Sequence, residues 1–233
     1  MMNTVYQPVS MEQALVARVS HQELTRWTEE SALPYRELMA CYRCAAASVR
    51  AMLETAEEEY ALRYERNLLQ GLETEIKTPE AILDRIMGAG LPLTAGSIEQ
   101  RIDDIAVLRA RCFFQSDVYE LADALLRRGE LTLLKKDDFI AHPRPEGYRG
   151  LHLLASVPVT LNGQKRRMKV ELRFLTPAMA LWAEAEETLR TKAEPLDPEQ
   201  VAAELRECAG LAAELDERLE QVRYNVQHRV IAK

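Results

Sequence analysis

Three groups of residues in this chain have types and spacings suited to chemistry. Asp103 and Asp104 stand directly before an apolar, β-branched run, where a carboxylate can project from a sheet edge toward a ligand. Glu171 lies inside a strand-like run with Lys169 and Arg173 two residues to either side, so the three share one face. A charged face in mid-strand is unusual against a core and points to a solvent-filled cleft. The third group, Gly147-Tyr148-Arg149-Gly150-Leu151-His152, follows a proline-rich loop. There an aromatic beside a cation can stack a base and grip a phosphate. Plainer readings stand beside each: Asp104 as a turn residue, Glu171 on a solvated hairpin face, His152 as a hydrogen-bonded sheet histidine between Leu151 and Leu153. Lys165-Arg166-Arg167 reads as a solvated hairpin tip. Cys41 and Cys44 form a C-x-x-C within a helical pattern, with no second pair to complete a zinc site, and read as two small core thiols.

The elements that must position these residues follow from periodicity and punctuation. Leu38, Tyr42, Ala45, Val49, Met52, Ala56 and Tyr60 recur at steps of three and four, predicting one long helix from Pro34. Thr78-Pro79-Glu80 places an N-cap, a first-turn proline and an acid in order, and Gly88 or Gly90 ends the helix they begin. A short helix over 97–103 leads into a buried strand over 105–114. An amphipathic helix over 117–128 and a short strand over 131–134 come next, then a loop at 142–147. Two strands, 150–159 and 167–175, are joined through Asn162-Gly163, a strong hairpin signal. A helix over 177–190 follows, and Pro195 and Pro198 mark a break. From about Gln200, Val201, Leu205, Cys208, Leu211, Leu215, Leu219 and Val222 recur at heptad-like steps, so this helix requires a partner, either the N-terminal helix or another subunit. The layout is an α+β domain, a mixed sheet of four or five strands flanked by helices.

Composition bounds the function class. The chain has 233 residues and a formal net charge of −7, with 47% hydrophobic and 29% charged residues, which suits a folded domain and not disorder. The acidic balance argues against bulk attraction to nucleic acid or anionic lipid. No stretch approaches a membrane span, the N-terminus lacks a secretory signal, and four cysteines make no disulfide framework. A cytoplasmic protein is the default expectation, with no membrane partner; an RNA partner finds no support in the sequence.

Taken in order, the motifs resemble a known family. "DIA-x-x-R" at 104–109, "DFIAHPRPEGYRGLHLL" at 138–154, "MKVEL" at 168–172 and "T-x-AM-x-x-WA-x-x-E" at 176–186 are similar to the RelA/SpoT synthetase domain, in particular to the short, single-domain small alarmone synthetases. "YRELMACYRCA" at 35–45, "KTPEAI" at 77–82 and "AAELDERLEQVR" at 212–223 match its flanking helices. No His-Asp dipeptide occurs, so the hydrolase domain of longer members is not expected here. The resemblance implies a nucleotidyltransferase-like synthetase domain with about five strands. It also implies transfer of pyrophosphate from ATP to the 3′-hydroxyl of GTP or GDP, giving (p)ppGpp and AMP. The organisation expected is an N-terminal extension over 1–30, the synthetase domain over 31–192, and a C-terminal oligomerisation helix over 193–233 in a homo-oligomer of up to four copies.

The resemblance also assigns roles. Asp104 would hold Mg²⁺, and Glu171 would be the second metal-side carboxylate and the activator of the 3′-hydroxyl. Tyr148 would stack on guanine, with Arg149 and His152 orienting ribose and phosphates. Lys77, Arg109 and Arg144 would be further nucleotide-binding cations, Arg144 in place of a family lysine. Several positions depart from the pattern. Glu73 and Glu75 stand where the family has basic residues for ATP, and Met87-Gly88-Ala89-Gly90 replaces a basic run. Val107 replaces a glycine, Glu146 an asparagine and Leu175 an arginine, and Glu187 stands where the family has a histidine. Arg173 replaces a glutamine beside Glu171; it either restores positive charge there, as part of the catalytic set, or pairs with Glu171 and blocks the metal. The alternative to an active synthetase is a degraded paralogue that binds a guanine nucleotide or alarmone, or acts as a regulatory subunit.

Overall fold

The computed structural model describes residues 32–92, 94–192 and 198–231; the expected 1–30 extension and the break at Pro195 lie outside the described residues. The long helix expected from Pro34 is α1 (Ala32–Tyr64). It is followed by β1 (Leu69–Ile76), α2 (Pro79–Gly88), α3 (Ala95–Arg101), β2 (Ala106–Cys112) and α4 (Gln115–Arg127). Then come β3 (Thr132–Asp138), β4 (Leu151–Leu161), β5 (Gln164–Leu175), α5 (Pro177–Lys192) and α6 (Pro198–Ile231). Among the described residues no helix is long and apolar enough to cross a membrane.

The chain divides into two compact units. In the smaller, formed by residues 32–40 with Pro79–Ile102, α2 and α3 bury Ile82, Ile86 and Ile98, and Thr94 caps α3 by accepting the Ser97 backbone N–H at 3.1 Å. The larger unit, Cys41–Thr78 with Asp103–Lys233, holds a five-stranded sheet in the order β1-β2-β5-β4-β3. Only β2 and β5 run parallel; the other pairs are antiparallel. Asn162 and Gly163 close the β4–β5 hairpin with φ of 50° and 77°, positive at both positions as a type I′ turn requires.

Period-two alternation splits this sheet into an apolar and a polar face. Leu108 and Ala110 of β2, Leu172 and Phe174 of β5, and Leu151 and Leu153 of β4 are buried on one side, while Arg109, Glu171, Arg173 and His152 are only partly buried on the other. One register row crosses all five strands as Glu73, Arg109, Arg173, His152 and Asp137. Both α4 and α5 pack on β2 and β5.

One expectation needs correction, and two elements go beyond what the sequence placed. Strand β1 was not located from sequence, because Gly71 and two glutamates dilute its pattern and its residues are nowhere fully buried. Cys41 is buried but Cys44 is exposed, three residues further around α1, so the two are not a pair of core thiols. The heptad-like stripe of α6 does not face the chain. Leu211, Leu215, Leu219 and Val222 are exposed, and among the described residues of this helix Ala209 and Asp216 are buried. Its partners within the chain are α5 and α4.

Candidate active site

Glu171 and Arg173 project from the same face of β5, and their side chains form a fork. Arg173 donates from Nε to Glu171 Oε1 at 3.1 Å and from Nη2 to Oε2 at 2.9 Å. Glu171 Oε1 also lies 3.1 Å from His152 Nδ1 on the neighbouring strand β4. A carboxylate accepts only, so Nδ1 carries the proton. On the other side of the ring, Nε2 and the Tyr148 hydroxyl are hydrogen-bonded at 2.6 Å. Tyr148, His152, Glu171 and Arg173 are therefore one continuous chain of hydrogen bonds. Burial pushes the Glu171 carboxyl up, but the bonds and charges of His152 and Arg173 outweigh it and bring it down to about 2. Burial raises the Tyr148 phenol, so it stays protonated and its hydroxyl stays turned to His152.

The loop before β4 sets the tyrosine. The Gly147 backbone N–H donates to the Arg144 carbonyl at 2.9 Å and the Arg144 N–H to the Tyr148 carbonyl at 3.1 Å, closing a turn through Pro145 and Glu146. Gly147 has φ of 104°, which a side chain would strain. The Arg144 guanidinium lies over two rings, 4.3 Å from the Phe139 centroid and 5.1 Å from that of Tyr148. Phe139 meets Tyr148 and His152 edge-on. Phe139 was not singled out from sequence, although it lies within the motif at 138–154.

A cavity of about 450 Å³ opens between the polar sheet face and α5. Of the residues named from sequence, Glu73, Arg109, Tyr148, Arg173, Leu175 and Glu187 line it, with Arg111 beside them and Glu184 and Glu186 contributed by α5. Arg111 was missed, yet two residues beyond Arg109 on a strand it had to share that face. Glu171 sits behind Arg173, its side chain 15% exposed. Asp104 precedes β2 and pairs with Lys77 at 3.1 Å. Asp103 instead pairs with Lys169 at 2.6 Å on the exposed surface. Arg149 is turned elsewhere: it donates to Gln115 Oε1 at 3.0 Å and lies 3.9 Å from Asp216.

The two glutamates of β1 are not bare charges. Glu75 pairs with Arg109 and Glu73 with Arg111, each at 2.6 Å across the β1–β2 ladder. Such exposed pairs add at most about 1 kcal/mol to stability, so their larger effect is on the cavity's field. Four arginines and four glutamates line it, making the wall formally neutral.

Among the described residues there is no cluster of three or more metal-ligating side chains. Mg²⁺ needs only one or two carboxylates when substrate phosphates complete its shell. Asp104, just before β2, and Glu171, on the adjacent strand β5, are hard oxygen donors of that kind, the first paired with Lys77 and the second with Arg173.

Comparison with known proteins gives consistent matches. The family model "Region found in RelA / SpoT proteins" matches residues 74–195. The GTP pyrophosphokinase YwaC of Bacillus subtilis (strain 168) is 31% identical over 185 residues, 79% of this chain and 88% of its own. GTP pyrophosphokinase YjbM of the same organism is 29% identical, covering 83% of this chain and 90% of its own. The crystal structure of small alarmone synthetase 1 from Bacillus subtilis, bound to its product pppGpp, superposes with a TM-score of 0.74 at 27% identity, covering 83% of this chain and 98% of that one.

Proposed function

Because this chain belongs to the RelA/SpoT family, we propose that it is a GTP pyrophosphokinase that makes (p)ppGpp from ATP and GTP or GDP. In this reaction the acceptor's 3′ oxygen bonds to the β-phosphorus of ATP. The bond between the α-phosphate and that phosphorus breaks, and AMP leaves. The observation that carries the reading is the unbroken Tyr148–His152–Glu171–Arg173 chain at the wall of an arginine-lined cavity.

Each member has a part. The free face of Tyr148 stacks the guanine, since its hydroxyl is committed to His152. Glu171 takes the proton of the 3′-hydroxyl. Both its oxygens are held, so Arg173 must change partner first, and nucleotide phosphates are the partner the cavity supplies. Arg109, Arg111 and Arg173 hold the phosphates, Arg144 backs the tyrosine ring, and Lys77 keeps Asp104 in place. Asp104 and Glu171 would hold Mg²⁺, which supplies charge neutralisation on the polyphosphate. His152 orients Glu171 and Tyr148, and Arg149 acts from outside the cavity.

A cytoplasmic location is part of the proposal, supported by the nucleotide substrates. So is self-association into a homo-oligomer, up to a homotetramer, through the exposed apolar face of α6: Leu211, Leu215, Leu219 and Val222.

A second reading, a nucleotide-binding paralogue without turnover, is favoured by one observation: Arg173 occupies both oxygens of the base. The two are separated by incubating the purified chain with Mg²⁺, radiolabelled ATP and GTP or GDP. Formation of (p)ppGpp and AMP supports the synthetase; guanine-nucleotide binding by calorimetry with no product supports the paralogue.

A further inference from the structure

Among the described residues helix α6 contributes no group to the cavity lining, yet it is bonded to the segments that carry the cavity's groups. Asp216 is buried on its inward face and accepts a hydrogen bond from Thr176 Oγ1 at 2.8 Å. Thr176 accepts the Met179 backbone N–H at 3.2 Å, fixing the first turn of α5, and it directly follows Leu175 in the cavity wall. The same Asp216 oxygen lies 3.9 Å from Nη1 of Arg149, which directly follows Tyr148. Two turns earlier on α6, Ala209 meets Gly147, which directly precedes Tyr148. A Cβ on Gly147 would come within 2.6 Å of the Ala209 Cβ. The aromatic residue of the cavity is thus flanked on both sides in sequence by residues that rest on α6.

A buried carboxylate is costly unless it is bonded and paired. Burial pushes the Asp216 carboxyl up, and only Thr176 and Arg149 draw it back. The strand-to-helix joint at Thr176 and the loop at Arg149 therefore meet on one acid carried by a third element. We infer that Asp216 is a positioning residue for the acceptor side of the cavity: through Arg149 and Thr176 it sets the place of Tyr148, and α6 is part of the site without touching the ligand. The inference rests on the proposed function only in naming the guanine nucleotide as what Tyr148 receives.

Asp216→Asn keeps an oxygen for Thr176 and removes the charge facing Arg149; Asp216→Ala removes both. The test is calorimetric binding of GDP to the full chain, with KM for GDP and for ATP measured in parallel. The expected result is GDP binding and GDP KM weakened roughly tenfold in D216A and less in D216N, with the ATP KM unchanged. A merely structural role lowers the active fraction, so kcat falls and neither KM moves. Unchanged GDP affinity in the folded variants, or equal weakening toward ATP and GDP, overturns the inference. Should D216A fail to fold, D216N decides on the same criterion. A wild-type chain that binds GDP without forming product overturns the pyrophosphokinase reading alone, and the calorimetric comparison still decides the role of Asp216. No GDP binding by the wild-type chain overturns both.

Discussion

Glu171 is the residue on which the proposed chemistry turns, and its neighbours give it two measurable signatures. As the proton acceptor it cannot be replaced by an amide, so Glu171→Gln should lower kcat by roughly 10²-fold or more with the fold intact. The second signature is in stability. His152 and Arg173 hold the folded-state pKa at about 2, below the ordinary value of 4.5. A depressed carboxylate stabilises the fold above its unfolded pKa and loses that contribution as pH falls through the folded one. The loss therefore falls between about 4.5 and about 2 and amounts to about 3 kcal/mol. Urea midpoints should drop more steeply over that window in the wild type than in Glu171→Gln; parallel curves would contradict the fork. Glu75 offers a converse test. It neutralises Arg109 at 2.6 Å, and removing a like charge near a phosphate is worth about 1 kcal/mol in water. Glu75→Gln should therefore lower the ATP KM several-fold while leaving the GDP KM unchanged. An unchanged ATP KM would place the donor elsewhere.

At the scale of elements, α6 has two faces with different work. The inward one is tied by scattered polar contacts: the Leu205 carbonyl accepts from Trp182 Nε1 at 2.8 Å, Asp216 from Thr176, and Glu220 from the Ser116 backbone N–H and hydroxyl at 3.1 and 2.8 Å. Arg223 reaches Asp117 at 2.8 Å. The outward one is the apolar stripe. Leu215→Glu with Leu219→Glu should leave the fold stable and reduce the sedimentation coefficient if copies associate there; an unchanged coefficient would contradict that interface. What was legible in the sequence follows the same division. Thr78-Pro79-Glu80 announced α2 because proline and an acid suit a first helical turn, and Asn162-Gly163 announced the β4–β5 hairpin because positive φ at both positions favours those residues. Strand β1 stayed hidden because an edge strand half open to solvent needs no apolar alternation. The inward face of α6 stayed hidden because it holds through Ala209, Asp216 and Glu220, while periodicity followed the leucines on the other side. Tyr148, His152, Glu171 and Arg173 were legible as members of one site. Their order of bonding was not, because rotamers and tautomers are settled by three-dimensional neighbours.

For the whole molecule, the net charge of −7 matters less than where the acids lie. Glu73 and Glu75 meet arginines, Asp104 meets Lys77, and Glu171 meets Arg173 and His152. These acids are thus paired internally, and on the proposed reading a polyphosphate exchanges such pairs for its own. Release of Glu171 from Arg173, followed by turnover, is what distinguishes a working synthetase from a binding protein built on the same frame. It is tested most directly by giving the purified chain Mg²⁺, GDP and ATP labelled in the γ-phosphate, and resolving the products. Label on the guanine nucleotide with an equal amount of AMP, lost in Glu171→Gln, is the expected result. Bound GDP with no labelled guanine product at any enzyme concentration would contradict it.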